Sequence, residues 1–456
     1  MKKLGLFFIF ALTCTAFSCC VSETILAQRR QIEPIVKQPP NGGVSGNPEE
    51  NFQKSPATLS PKKIFQYALS RYQFGDYAKA ESLFAEYRKS SSSEPRSDRE
   101  LGLLMHAKTL IYLNRAEKAI AELNELRLTL TTSALRQESL FDLAIGEFQS
   151  GQNFSAAQHF IEVAGNNWNM QDSVALRRKA VTNLRVISIA HLSADELLKL
   201  ASSTAYINLR AVLLSESLQK CLAGDVLSGS AGTNGTRQEE AVRAPRQDSI
   251  LKQQLIPAIN RLLGTPSLDP ICKTWLESGL EQATAFLSRR MNAYRIGVLV
   301  PIDLNVFDGT DAQKIGSQIL SGIVYRAYES NRKSATDHVS LFVRNSHGMD
   351  GTHLVKTANA LIDQESVQLI LGPIFSDQAI IVSRACAAKG VTMITPTATD
   401  EHITLGINTS FQINPTHNMR GRAIAKYLMQ FPTMKTFGIF AEQKTYGVEM
   451  AEGFRQ

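Results

Sequence analysis

Leu369-Ile370-Leu371-Gly372-Pro373-Ile374-Phe375-Ser376 and Val391-Thr392-Met393-Ile394-Thr395-Pro396-Thr397-Ala398-Thr399 decide the fold of this chain. Each is a short apolar run that stops at Gly or Pro and then presents small hydroxyl residues. Such runs read as strands buried on both faces of a parallel sheet. The stretch between them, Asp377 to Gly390, carries Ala379, Ile380, Val382, Ala385, Cys386 and Ala387 and suits a crossover helix. In open parallel sheets ligands bind beyond the carboxyl ends of the strands, where Ser376, Thr397 and Thr399 fall. No nucleophile-activating partner accompanies these hydroxyls, so the pattern predicts holding a small polar molecule rather than transforming one.

Working outward, Tyr294 to Pro301 reads as a buried strand ended by Pro, and Val339 to Arg344 as a second. Ser410 to Asn414 and Thr436 to Ala441 read as further strands. Helices are expected at about Ala312 to Asn331, Thr352 to Gln364 and Met419 to Gln430, with the first turns of another at Tyr446 to Arg455. Strands alternating with helices predict a doubly wound parallel α/β fold over 294–456.

Upstream the pattern is helical and repeats. Matching alanines stand at Ala80, Ala119 and Ala157, separated by 119 − 80 = 39 and 157 − 119 = 38 residues. A small residue there lets two helices cross closely. Tyr72, Tyr77, Tyr112, Phe148 and Phe154 fill the grooves between neighbours, and Gly75 and Gly151 end the preceding helices. The register resembles the tetratricopeptide repeat, lengthened from its usual period of about 34. We expect helical repeats over 60–223, with helices continuing through Ser173 to Leu222. A Gly/Ser/Thr/Asn-rich linker is expected at 224–248 and connecting helices at 249–293. The fold class is therefore α plus α/β and multidomain.

Met1-Lys2-Lys3 followed by the apolar Leu4 to Phe17 is an export signal, too short to span a membrane stably. Processing is expected either by lipidation at Cys19 or by cleavage after Ala27. Residues 28–59, rich in Pro, Gly and Asn, read as a disordered tether. The chain has 456 residues and a formal charge of +7, with Lys and Arg scattered rather than gathered with stacking aromatics. That distribution argues against a nucleic-acid partner. Cys221, Cys272 and Cys386 are odd in number and far apart, which predicts buried free thiols. His338, His347 and His353 lack convergent metal-ligand spacing and are expected to be solvated. Asp303 to Gly309 is an imperfect calcium loop. No cofactor and no catalytic constellation are expected.

Ile296-Gly297-Val298, Leu371-Gly372-Pro373 and Met393 to Thr399, with Tyr446-Gly447 and Ala451-Glu452-Gly453-Phe454, resemble the leucine/isoleucine/valine-binding proteins. These are type I periplasmic binding proteins of amino-acid uptake. The resemblance implies two α/β lobes, of which a truncated set is expected here: the first lobe and the start of the second. It also implies that Ser376 and Thr399 bind a ligand's carboxylate and ammonium, helped by main-chain groups near Thr397 and Ala398, with Tyr446 contributing from the second lobe. Asp377 departs from the family pattern, which usually has a small neutral residue there. The order of parts, signal, helical repeats and binding-protein fold, also resembles the lipoproteins that activate penicillin-binding proteins. That resemblance implies an envelope protein partner docked on the repeats and a lipid-anchored scaffold.

Overall fold

The computed structural model describes residues 59–165, 173–224, 246–302, 304, 311–431, 433, 435–443 and 445–456. The signal, nearly all of the tether, the calcium-like loop apart from Leu304, and most of the 224–248 linker lie outside the described residues. Three helical hairpins open the described chain: α1 (Pro61–Gln73) with α2 (Tyr77–Ser90), α3 (Arg96–Tyr112) with α4 (Ala116–Thr129), and α5 (Ser133–Gln149) with α6 (Asn153–Gly165). Ala80, Ala119 and Ala157 are all fully buried, one on the second helix of each hairpin. Each turn passes through one left-handed residue, Gly75, Asn114 and Gly151 in succession, with φ of 78°, 56° and 79°. Asn114 stands where the other hairpins have Gly because a short amide side chain tolerates that conformation. The rings of Tyr77 and Tyr112 stack at 4.4 Å, and Tyr72 meets each of them edge-on at 5.5 Å.

The array continues through α7 (Ser173–His191), α8 (Ala194–Ser203) and α9 (Ile207–Ala223). A capping box starts α8, with Ser193 and Glu196 satisfying each other's backbone N–H groups. A π-helical turn, Leu251–Leu255, runs into α10 (Ile256–Leu263), and α11 (Pro270–Leu287) leads to the sheet.

Five parallel strands follow: β1 (Asn292–Val300), β2 (Asp337–Asn345), β3 (Leu369–Leu371), β4 (Thr392–Thr395) and β5 (Ser410–Gln412), ordered β2-β1-β3-β4-β5. The crossovers are α12 (Asp311–Lys333), α13 (Gly351–Asp363) and α14 (Ser376–Ala388), and the pair α15 (His417–Leu428) and α16 (Thr445–Arg455) closes the described chain. The order reverses between β1 and β3, which places a ligand crevice at the carboxyl ends of the central strands. Gly372, just after β3, has a φ of 99°, and a Cβ there would lie 2.0 Å from the Leu299 carbonyl oxygen. Only glycine lets β3 turn away this close to β1.

The array and the sheet share one hydrophobic core. Val298 and Val300 of β1 join a cluster that runs without a break from Leu104 through Leu218 to Ile374. Leu299, on the other face, packs with Leu354, Ala358, Leu361 and Val382. The alternation is the period-two pleat of a strand buried on both sides.

Two expectations change. Thr436 to Ala441 forms no strand, and Phe437, Ile439 and Phe440 stand exposed, Phe440 wholly so. A strand needs a neighbour's ladder, and no described segment pairs with this one. His338 is not solvated: β2 begins before the apolar run suggested, and the imidazole is fully buried. His347 and His353 are exposed as expected. Cys221, Cys272 and Cys386 are free and buried.

Candidate ligand site at the strand ends

Ser376 opens α14 immediately beyond β3, and its hydroxyl accepts the backbone N–H of Thr399 at 3.2 Å and of Asp400 at 3.3 Å. One side chain thus ties the segment after β4 to the start of the helix after β3. Thr397 donates its hydroxyl to the Ile374 carbonyl at 2.7 Å, and Thr395 donates to the Pro373 carbonyl at 2.6 Å. Ala398 is buried, and its N–H reaches the Thr395 hydroxyl at 3.4 Å. The two strand-end turns are therefore cross-stitched. Ser376, Thr397, Ala398 and Thr399 come together there.

Amides from β5 and just beyond hold the same segment from below. Gln412 donates to the Ala398 and Asp400 carbonyls at 3.3 and 2.9 Å, and Asn414 donates to the Thr397 carbonyl at 2.9 Å. The first turn of α14 has no side-chain cap, since the residue before it is Phe375. Its N–H groups face the strand ends with the positive end of the helix dipole. Phe375 itself is half-exposed.

Tyr446 joins the site through a residue that sequence reasoning missed. The Thr399 hydroxyl and His417 Nε2 are 2.7 Å apart, and the His417 ring meets the Tyr446 ring edge-on at 4.6 Å. His417 begins α15 and Tyr446 lies in α16, so this chain of contacts links the sheet to the terminal helix pair. Burial, helped by Arg420, holds the His417 imidazole below its ordinary pKa. Its Nδ1 has no hydrogen-bond partner. Nothing in the spacing of His417 from Thr399 could have announced the contact.

Among the described residues one group has metal-ligating atoms close together: Asp400, His402 and Glu449, within 4.8 Å of one another. Asp400 Oδ1 and His402 Nδ1 pair at 2.7 Å, which raises the imidazole pKa. Burial and the nearby Asp400 raise that of Glu449. The trio sits at the rim, with His402 exposed.

The parallel α/β sheet thus carries hydroxyls and an uncapped helix N-terminus at its strand ends, where ligands bind in open α/β folds. Comparison with known proteins agrees for this part of the chain. Residues 329–456 match the family model described as "Receptor family ligand binding region". A Leu/Ile/Val-binding protein, BraC3, of Rhizobium johnstonii is 27% identical over 143 residues, covering 31% of this chain and 38% of that protein. The chain thus spans well under half the length of the curated relative it matches. Among solved structures, the isoleucine complex of the branched-chain amino acid binding protein LivJ of Streptococcus pneumoniae is 17% identical. It covers 36% of this chain and 46% of its own, with a TM-score of 0.30. The Haemophilus influenzae LpoA structure is 13% identical, covers 90% of this chain and 68% of its own, and has a TM-score of 0.29. By the family model and BraC3, the C-terminal part resembles leucine-binding-type proteins in sequence. Among the described residues no helix is long and apolar enough to cross a membrane.

Proposed function

We propose that the α/β domain binds a small carboxylate-bearing molecule, with an amino acid such as leucine as the leading candidate, and that the chain is a non-enzymatic extracytoplasmic receptor. One observation carries this reading. Ser376, Thr399 and, through His417, Tyr446 converge beside the uncapped N-terminus of α14, at the carboxyl ends of β3 and β4. A carboxylate placed there would accept the N–H groups of the first turn and face the positive end of the helix. The amino group would lie toward Thr399 and Tyr446, and the half-exposed Phe375 would cover an apolar side chain. The resemblance to BraC3 supports the same ligand class.

In this proposal the helical array, built of tetratricopeptide-like hairpins, offers contacts to an envelope protein. The export signal delivers the chain across the membrane, with Cys19 as a lipid anchor. The test is thermal unfolding of the full chain with and without leucine, isoleucine, valine and simple aromatic carboxylates. At least one should raise the unfolding temperature, and Thr399→Val should remove the effect. Stabilisation that survives Thr399→Val would remove the site from where we place it.

A second reading has its own observation. The hydroxyls of Ser376, Thr397 and Thr399 are already engaged within the protein, and this suits a domain that serves as a rigid docking body. On that reading the chain is a scaffold that activates a peptidoglycan synthase. Capture of purified penicillin-binding protein by the full chain, unchanged by Thr399→Val, would favour it.

A further inference from the structure

Between the helical array and the open edge of β2 lies a cavity of about 40 Å³, far from the strand-end site. Its walls come from α9 (Glu216, Lys220), α12 (Tyr328, Asn331) and β2 (His338, Ser340). The polar edge of β2 is closed by side chains rather than by another strand. The Asn331 amide donates to the Val339 carbonyl at 3.0 Å and accepts the Val339 N–H at 2.7 Å. It therefore stands in for a strand partner. Asn331 also donates to Gln219 of α9 at 3.0 Å, and Gln219 donates to Gln282 of α11 at 3.2 Å. This amide network crosses the boundary between array and sheet.

Inside the network His338 is fully buried, and neither of its ring nitrogens has a hydrogen-bond partner; the Ser340 hydroxyl is also buried without one. A cavity of this size accommodates one to a few waters, which is what three such atoms call for. We propose that this seam is a proton-operated latch: neutral His338 lets the array close over the edge of β2, and charging it releases the array from the sheet.

The surrounding charges favour release rather than accommodation. Lys220 lines the cavity, and Arg295 sits opposite Ser340 on β1 with its guanidinium donating to the Ala223 carbonyl at 3.1 Å. Arg295 is neutralised elsewhere by Glu365, at 3.6 Å. Among the described residues Glu216 is the one carboxylate lining the cavity, and burial raises its pKa while Tyr328 holds it by a hydrogen bond; Arg185 of α7 faces that pair. A charged imidazole would thus find no free carboxylate among the described residues that line the cavity. Desolvation accordingly lowers the His338 pKa to about 4. His191 of α7 is also depressed to about 4, by burial and by Lys220 and Arg344 of β2, and meets Phe148 edge-on at 5.1 Å; the His338 variants below tell the two imidazoles apart.

If the open form restores the ordinary value of 6.5 against about 4 in the closed form, linkage makes opening roughly 20-fold more favourable at pH 5 than at pH 7. Hydrogen exchange on the full chain, corrected for intrinsic rates, reads this directly. The Val339 N–H reports the seam, and the amides of α14 serve as the internal reference. We expect exchange at 337–341 to accelerate about 20-fold from pH 7 to pH 5 with α14 little changed. The neutral variants His338→Phe and His338→Gln should each abolish the acceleration. Equal acceleration in α14, no acceleration in the wild-type chain, or acceleration that persists in whichever neutral variant folds would each overturn the latch.

Discussion

Gly372 is where single-residue chemistry sets the site. A Cβ there would press on the Leu299 carbonyl, and the backbone is already in the left-handed region. Gly372→Ala should cost more than about 2 kcal/mol, from both strain and the forced separation of β1 from β3. Urea unfolding checks this; a midpoint unchanged from wild type would mean that β3 turns some other way. Thr399→Val is milder, removing one hydroxyl contact to His417, and should cost about 1 kcal/mol. At this scale the sequence was informative but incomplete. The hydroxyls of Ser376, Thr397 and Thr399 were legible because they follow apolar runs that Gly372 and Pro396 cut short. His417, Gln412 and Asn414 were not, because their contacts with the Thr397–Asp400 segment arise only when β5 and α15 fold against it.

Among the elements, the hairpins of the array combine close helix crossings with a buried charge cluster. Ala119 is fully buried where α4 crosses its neighbours, so Ala119→Leu should overpack the groove and destabilise by about 1–3 kcal/mol. Lys108 of α3 contacts Glu138 and lies 3.6 Å from Asp142 of α5, both Lys108 and Asp142 being buried. Burial pushes the Asp142 carboxyl up to about 8, against an ordinary 3.8. The folded protein therefore holds a proton there that the unfolded chain releases, so this group's contribution to stability declines as pH rises from about 4 to about 8. Asp142→Asn should flatten that decline, and urea titrations at pH 5 and pH 8 check it; a variant with the same slope as wild type would assign the dependence elsewhere. The repeat spacing announced these hairpins because crossings of small residues leave a periodic mark. Thr436 to Ala441 shows the converse: an apolar run signals a strand only when a partner ladder is present. His338 shows a third case, since a polar residue at the start of a buried edge strand carries no apolar signal.

Across the whole molecule, the feature that linear reading did not convey is the join. The sequence suggests an array, a linker and a sheet as separate parts, yet the core passes from Leu218 on α9 to Val298 and Val300 on β1 without interruption. The described parts should consequently unfold together at neutral pH. Calorimetry should give one transition with matching calorimetric and van't Hoff enthalpies, and two well-separated transitions would show that the shared core is too weak to couple them. With the seam closed at neutral pH, the shared core also bears on function, because it would hold a partner bound to the array at a constant distance from the strand-end site.

Native mass spectrometry of the full chain, with leucine or another small carboxylate from the test panel added, bears most directly on the central claim that the strand ends bind such a molecule. We expect a single added molecule per chain, saturating with concentration and absent in Thr399→Val. A spectrum showing only the bare protein with every member of the panel, at concentrations up to the millimolar range, would contradict it and leave the docking-scaffold reading in its place.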